Sequence, residues 1–223
     1  MKTILRKAIA CLPAGIADKL HAIKHRVYWL TKGGKAHQTY FDAYKTRSEV
    51  LDVLRDWLAS HPQSSLRVFE FGSSGGNNLL LLREIMPMPV DYVGVDIQPD
   101  AIAFAKEKFP GVPFMVGDDL TLPEQAASLG RFDVFLASGV LSYIPQMRCQ
   151  AVLNRAAEMA SLVLVCDELS HFDEDEGDND GLFLHPYAQM CREAGLTVVV
   201  PPVVSRTGHR YSTFMAKSST GKE

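Results

Sequence analysis

The chain has 223 residues, 47% of them hydrophobic, and a formal net charge of −3. That size and composition fit one α/β domain with a short extension and a core able to fold unaided, and no apolar run nears the roughly 18 residues of a membrane-spanning helix. The charge is uneven: residues 1–47 hold ten Lys/Arg against two acids and the rest holds thirteen against twenty-four, so a basic arm precedes an acidic body that disfavours nucleic acid as a partner.

The arm comes first in the chain. Residues 3–12 read as a short amphipathic helix, with Ile4, Leu5, Ala8, Ile9 and Leu12 on one face and Lys2, Arg6 and Lys7 on the other. This stretch has the outline of a secretion signal, but Pro13 and Gly15 interrupt it and its hydrophobicity is low, so a cytoplasmic protein is expected. A second helix, about 16–30, lines up Ile16, Leu20, Ile23, Val27 and Leu30 in a narrow stripe before Gly33-Gly34. A third, about 39–60, aligns Tyr40, Tyr44, Leu51, Leu54 and Leu58 and stops at His61-Pro62.

From Leu66 the pattern alternates. Strands are expected near 67–71, 91–96, 113–116, 132–137, 161–167, 196–204 and 209–216, with helices near 76–86, 99–108, 122–129, 146–159 and 184–194. This predicts an α/β fold: a seven-stranded, mostly parallel sheet with helices on both faces, occupying residues 63–223 behind a helical arm or lid at 1–62. Cys11, Cys149, Cys166 and Cys191 lack CxxC spacing and read as reduced thiols.

The segment Arg67-Val-Phe-Glu-Phe-Gly-Ser-Ser-Gly-Gly-Asn-Asn-Leu runs from a strand through a glycine-rich turn into a leucine-rich helix. Such a turn lets a ligand approach the backbone beside unpaired helix-start N–H groups. The next strand, Asp91-Tyr-Val-Gly-Val-Asp96, ends in a carboxylate 26 residues after Glu70. The turn is not G-x-G-x-x-G, and no Gly-Lys-Ser/Thr follows for a P-loop. Gly72-x-Ser74-x-Gly76 does match the nucleophile turn of α/β-hydrolases, and Asp167 and His209 follow in the right order. Against a hydrolase, only helices are expected before this strand, no HGGG-like loop is present, and Asp96 is left without a task.

Four segments together resemble the class I S-adenosylmethionine (SAM)-dependent methyltransferases: Glu70-Phe-Gly-Ser-Ser-Gly-Gly-Asn, Val93-Gly-Val-Asp-Ile97, Phe114-Met-Val-Gly-Asp-Asp-Leu120 and Phe132-Asp-Val-Phe-Leu-Ala-Ser-Gly-Val-Leu141. The resemblance covers about residues 66–216 and implies a Rossmann-like fold with SAM as cofactor. It implies Glu70 toward the ammonium group of SAM, the backbone of Gly72, Ser73, Ser74 and Gly76 along its methionine moiety, and Asp96 on the ribose hydroxyls. Ile97 would lie on the adenine face, Asp118 or Asp119 would accept from the adenine amine, and Ser138 would stand between the methionine end and the acceptor. Ser74 departs from the family glycine at the middle of the turn.

Ala137-Ser-Gly-Val-Leu-Ser-Tyr-Ile-Pro145 lacks the Pro-Pro-Tyr-type run common among family members that methylate nucleobase or amide nitrogens, so a small-molecule or glycan acceptor is expected, methylated at a hydroxyl. Such an acceptor needs a general base. His171, after the fifth strand, is the first candidate, with His209 and His185 as alternatives and Asp167 or Glu168 to orient one of them. A non-catalytic SAM-binding scaffold is the rival to turnover. The acidic segment 173–180 lacks the closing Glu of a calcium loop, so no resident metal is expected and it reads as a solvated insertion. Family members often use an N-terminal helix as a lid, a role open here to Tyr40 or Tyr44. The basic amphipathic arm could also touch a membrane surface.

Overall fold

A computed structural model describes residues 14–31, 36–43, 49–122, 124, 128–168, 182–204 and 211–219. The arm supplies α1 (Ala14–Thr31) and α2 (Ala36–Asp42), followed by α3 (Glu49–Ser60). Then come β1 (Leu66–Phe71), α4 (Asn77–Ile85), β2 (Val90–Asp96), α5 (Pro99–Lys108), β3 (Phe114–Val116) and β4 (Phe132–Ser138). The chain continues through a 3-10 turn at Leu141–Tyr143 into α6 (Gln146–Met159), β5 (Ala160–Glu168), α7 (Tyr187–Glu193), β6 (Leu196–Val204) and β7 (Tyr211–Ser218). Residues 3–12, half of 122–129 (123 and 125–127), Tyr44, His171, the acidic segment 173–180 and His209 lie outside the described residues.

The sheet has seven strands in the order β3-β2-β1-β4-β5-β7-β6, with β7 antiparallel to both neighbours. Strand alternation sorts side chains into two core layers. Along β1, Phe69 and Phe71 face α6 and α7, meeting Val152, Leu153, Tyr187 and Met190. Leu66 and Val68 face the opposite layer, where α3, α4 and α5 bring Leu54, Leu82 and Ile102. Pro201-Pro202 sits in the edge strand β6, and the register slips between Val200 and Val203 because proline offers no N–H to the ladder.

The helix expected over 39–60 is instead two. The first ends at Asp42, where Phe41 lies 5.3 Å from the Phe104 ring, while Leu51, Leu54 and Leu58 of α3 pack under the sheet. Phe41 seats α2 on Phe104 of α5, while the leucines seat α3 elsewhere in the same core layer. Helix α7 starts at Tyr187, later than the expected 184, with Pro186 at its N-cap. Cys149, Cys166 and Cys191 are buried and outside any disulfide, and burial pushes the Cys191 thiol up to about 12, which leaves it a poor nucleophile.

Strand order reverses between β1 and β4. Side chains after their carboxyl ends therefore diverge and open a crevice, the usual ligand site of such sheets.

Candidate active site

The turn after β1 is fixed by its own backbone. Gly72 and Ser73 both donate to the Val95 carbonyl, at 2.8 and 2.9 Å, and Gly76 donates to the Ser73 carbonyl at 3.0 Å. Two glycines are required here. Gly72 has φ +81° and Gly76 φ +83°, and a Cβ at Gly76 would lie 2.7 Å from the Phe109 ring. Ser74 is also left-handed, with φ +47°. An L-residue there is strained unless something holds it. The Ser74 N–H donates to Asp96 Oδ2 at 2.8 Å, and the other oxygen of that carboxylate accepts from Gln98 N at 2.9 Å. Burial raises the Asp96 pKa, with these N–H groups and nearby His37 opposing.

Glu70 lies deeper, at the end of β1. Asn78 Nδ2 donates to it at 2.6 Å and the Tyr92 hydroxyl donates to its other oxygen. Burial drives its pKa up to about 7 against those two donors, and the neighbouring Asp96 adds to the rise. An uncompensated carboxylate in such a place favours a cation.

The cleft above these residues encloses about 1180 Å³, open solvent at its mouth included. Glu70, Gly72, Ser74, Asp96, Ile97, Asp118, Asp119 and Ser138 all line it, while Ser73 and Gly76 stand behind as the frame of the turn. Asp118 accepts from Leu120 N and Thr121 N at 3.0 and 3.1 Å and pairs with Arg26 of α1. Burial would raise its pKa, but Arg26 and the two N–H groups win and hold it low. Asp119 is gripped by both ends of the Arg148 guanidinium.

Residues 62–174, just over half of the chain, match the family described as Methyltransferase domain. The chain belongs to the class I SAM-dependent methyltransferases. Solved structures share the methyltransferase fold at low identity. Magnesium protoporphyrin IX methyltransferase from Synechocystis PCC 6803, with bound SAM, is 15% identical with TM-score 0.60, covering 89% of this chain and 97% of that one. The CurJ carbon methyltransferase is 17% identical with TM-score 0.65, covering 96% and 71%. An O-methyltransferase family protein from Burkholderia thailandensis is 18% identical with TM-score 0.62, covering 84% and 60%. These likenesses carry the fold, and the differing reactions in their names leave the acceptor to be argued from the site.

The methyltransferase cleft fits SAM by its own chemistry. The lack of a Cβ at Gly72 and Gly76 lets the turn pack closely against Val140 and against the Phe109 and Phe114 rings. The buried Glu70 carboxylate has the chemistry to suit an ammonium group. Asp96 donates nothing and keeps lone pairs beyond the two N–H bonds it accepts, enough for a diol. Ile97 offers an apolar face beside it.

The hydrolase alternative is corrected by this topology. Among the described residues β1 is the first strand, Ser74 is held by Asp96, and the Asp167 carboxylate accepts from Ser142 N at 3.0 Å. His185 is not on the cleft either. It is buried, with Nε2 3.0 Å from the Leu141 carbonyl and its ring against Tyr187.

Tyr40, named from sequence as a lid candidate, lines the cleft. Ala22, His25, Arg26 and Trp29 of α1, with Tyr143 and Arg148, line the same wall and were not named from sequence. His25 is only 7% exposed, and its ring is 5.3 Å from Tyr143 and 6.0 Å from Phe183. Trp29 stands 5.1 Å from Tyr143. The signal was on the helical wheel, where His25 lies roughly 180° from the centre of the apolar stripe.

Proposed function

We propose that this methyltransferase moves a methyl group from SAM to a hydroxyl of a small-molecule or glycan acceptor, and that His25 is the general base. The observation that carries the reading is the His25 imidazole on a cleft wall shared with Trp29 and Tyr143. Flat rings and sugar rings both pack well on such aromatic faces.

Glu70 and Asp96 would hold the ammonium and ribose of SAM, the turn Gly72–Gly76 its methionine chain, and Ile97 its adenine. Asp118 or Asp119 would take the adenine amine, in competition with Arg26 and Arg148. When bound, SAM supplies an electrophilic methyl group on a sulfonium. The protein's part is to align an acceptor oxygen beyond Ser138, exclude water with α1, and take the hydroxyl proton onto an imidazole nitrogen of His25. The low-identity neighbours include an O-methyltransferase family protein and a carbon methyltransferase, which is compatible with either atom.

Methyl-labelled SAM with a panel of phenols and glycosides tests this. The expected product is a methyl ether, and His25→Asn lowers kcat by roughly 10²–10⁴ with little change in KM for SAM. Label on carbon or nitrogen would refute the hydroxyl reading. Full kcat in His25→Asn together with its loss in His171→Asn would move the base to His171.

A further inference from the structure

Helix α1 has two working faces. His25 and Trp29 turn toward the cleft. On the opposite side Ile16, Leu20, Ile23, Val27 and Leu30 form a continuous apolar stripe, each between 38% and 59% exposed. At about 100° per residue these five span an arc of only about 80°. Lys19 flanks the stripe on one side and Lys24 on the other, and both are exposed. The helix's one acid, Asp18, lies roughly opposite the stripe. Lys2, Arg6, Lys7, Lys32 and Lys35 add to the same positive charge in the sequence on either side of α1.

We propose that this outer face of α1 docks on an anionic lipid bilayer. The stripe has the form of a helix lying in the interface plane: apolar side chains enter the acyl boundary while lysine stems reach back to the headgroups. Charge decides between occupants. A face rimmed by cations repels its own copy but matches an anionic surface. No described helix is long and apolar enough to cross a membrane, so α1 lies on the bilayer and does not span it. Docking would hold the acceptor wall about one helix diameter, roughly 10 Å, from the lipid. A corollary, which rests on the reading of the preceding section, is an acceptor anchored or dissolved in the membrane.

The test is flotation of the full chain with vesicles of phosphatidylcholine alone or with about 30% phosphatidylglycerol. The expected result is binding to the anionic vesicles, weakened by salt. Ile23→Glu/Val27→Glu, both at exposed positions, should lower partitioning at least about tenfold, and Lys19→Glu/Lys24→Glu should abolish the preference for anionic lipid. S-adenosylhomocysteine (SAH) affinity by calorimetry reports that the variants are folded and should not change. Absence of wild-type binding to either vesicle overturns the proposal, as does undiminished binding by the Ile23/Val27 variant. A wild-type dimer in solution that this variant dissociates would assign the stripe to a second copy and also overturn it. None of these readouts depends on the acceptor, so a failed base assignment leaves this test intact.

Discussion

Glu70 offers the sharpest test of the proposed cofactor site: on that reading its proton and the ligand's ammonium compete for one buried carboxylate. Without a cation its pKa is about 7, raised from 4.5 chiefly by burial. A raised carboxylate pKa stabilises the fold fully below 4.5 and loses that contribution as pH rises through 7. The shift corresponds to about 3 kcal/mol at full ionisation. An ammonium beside Glu70 would favour the charged carboxylate, so the complex would hold it ionised. Ligand binding then releases a proton below pH 7, and affinity for SAH should fall about twentyfold, or about 2 kcal/mol, from about pH 7.5 to about pH 5.5. Titration calorimetry in buffers of different ionisation enthalpy measures both the affinity and the proton. Glu70→Gln removes this proton and keeps every other titrating group, so it should bind more weakly at pH 7.5 and show a much flatter pH profile. If wild type binds equally well at both pH values, or if the variant keeps the full slope, Glu70 does not meet the ammonium.

Two further predictions concern the frame of the site. Gly76→Ala places a Cβ 2.7 Å from the Phe109 ring at φ +83°, and should cost about 2–4 kcal/mol in urea unfolding; a loss under about 0.5 kcal/mol would show that the turn can shift freely. Leu54→Ala removes a fully buried side chain that seats α3 under the sheet, and should cost about 2–5 kcal/mol while leaving SAH affinity unchanged where the protein is folded.

The fold was legible where information is local. Strand alternation, the leucine run of α4 and the glycine turn each announce themselves within ten residues, and β1, β2, β4 and β5 lie where expected. The cleft lining reached from strand ends was legible for the same reason, since an acid closing β2 must face the crevice once the sheet order is known. What sequence missed is tertiary. Nothing near Arg26 indicates that it meets Asp118, 92 positions away. His185 was an alternative base on the sequence alone, where its burial could not be read, yet it is packed against Tyr187 with Nε2 on the Leu141 carbonyl. The apolar stripe of α1 was visible, but periodicity alone assigns such a stripe to the core, and here the stripe faces out.

Ser74 and Asp96 are best understood as one device. A serine at φ +47° costs backbone energy that glycine would not. The Asp96 carboxylate offsets it by accepting the Ser74 N–H. The acid at the end of β2 therefore shapes the turn, and the departure from glycine is tolerated because that carboxylate holds Ser74, whatever its proposed second role on a ribose. This couples the two halves of the site. Asp96→Asn keeps one acceptor oxygen but loses charge, so it can still support Ser74 or a diol but not both as strongly. Asp96→Ala removes both roles and leaves Ser74 strained over an empty space. Replacing Ser74 by glycine in the Asp96→Ala background should therefore recover stability without recovering ligand affinity, which separates the architectural duty of Asp96 from its binding duty.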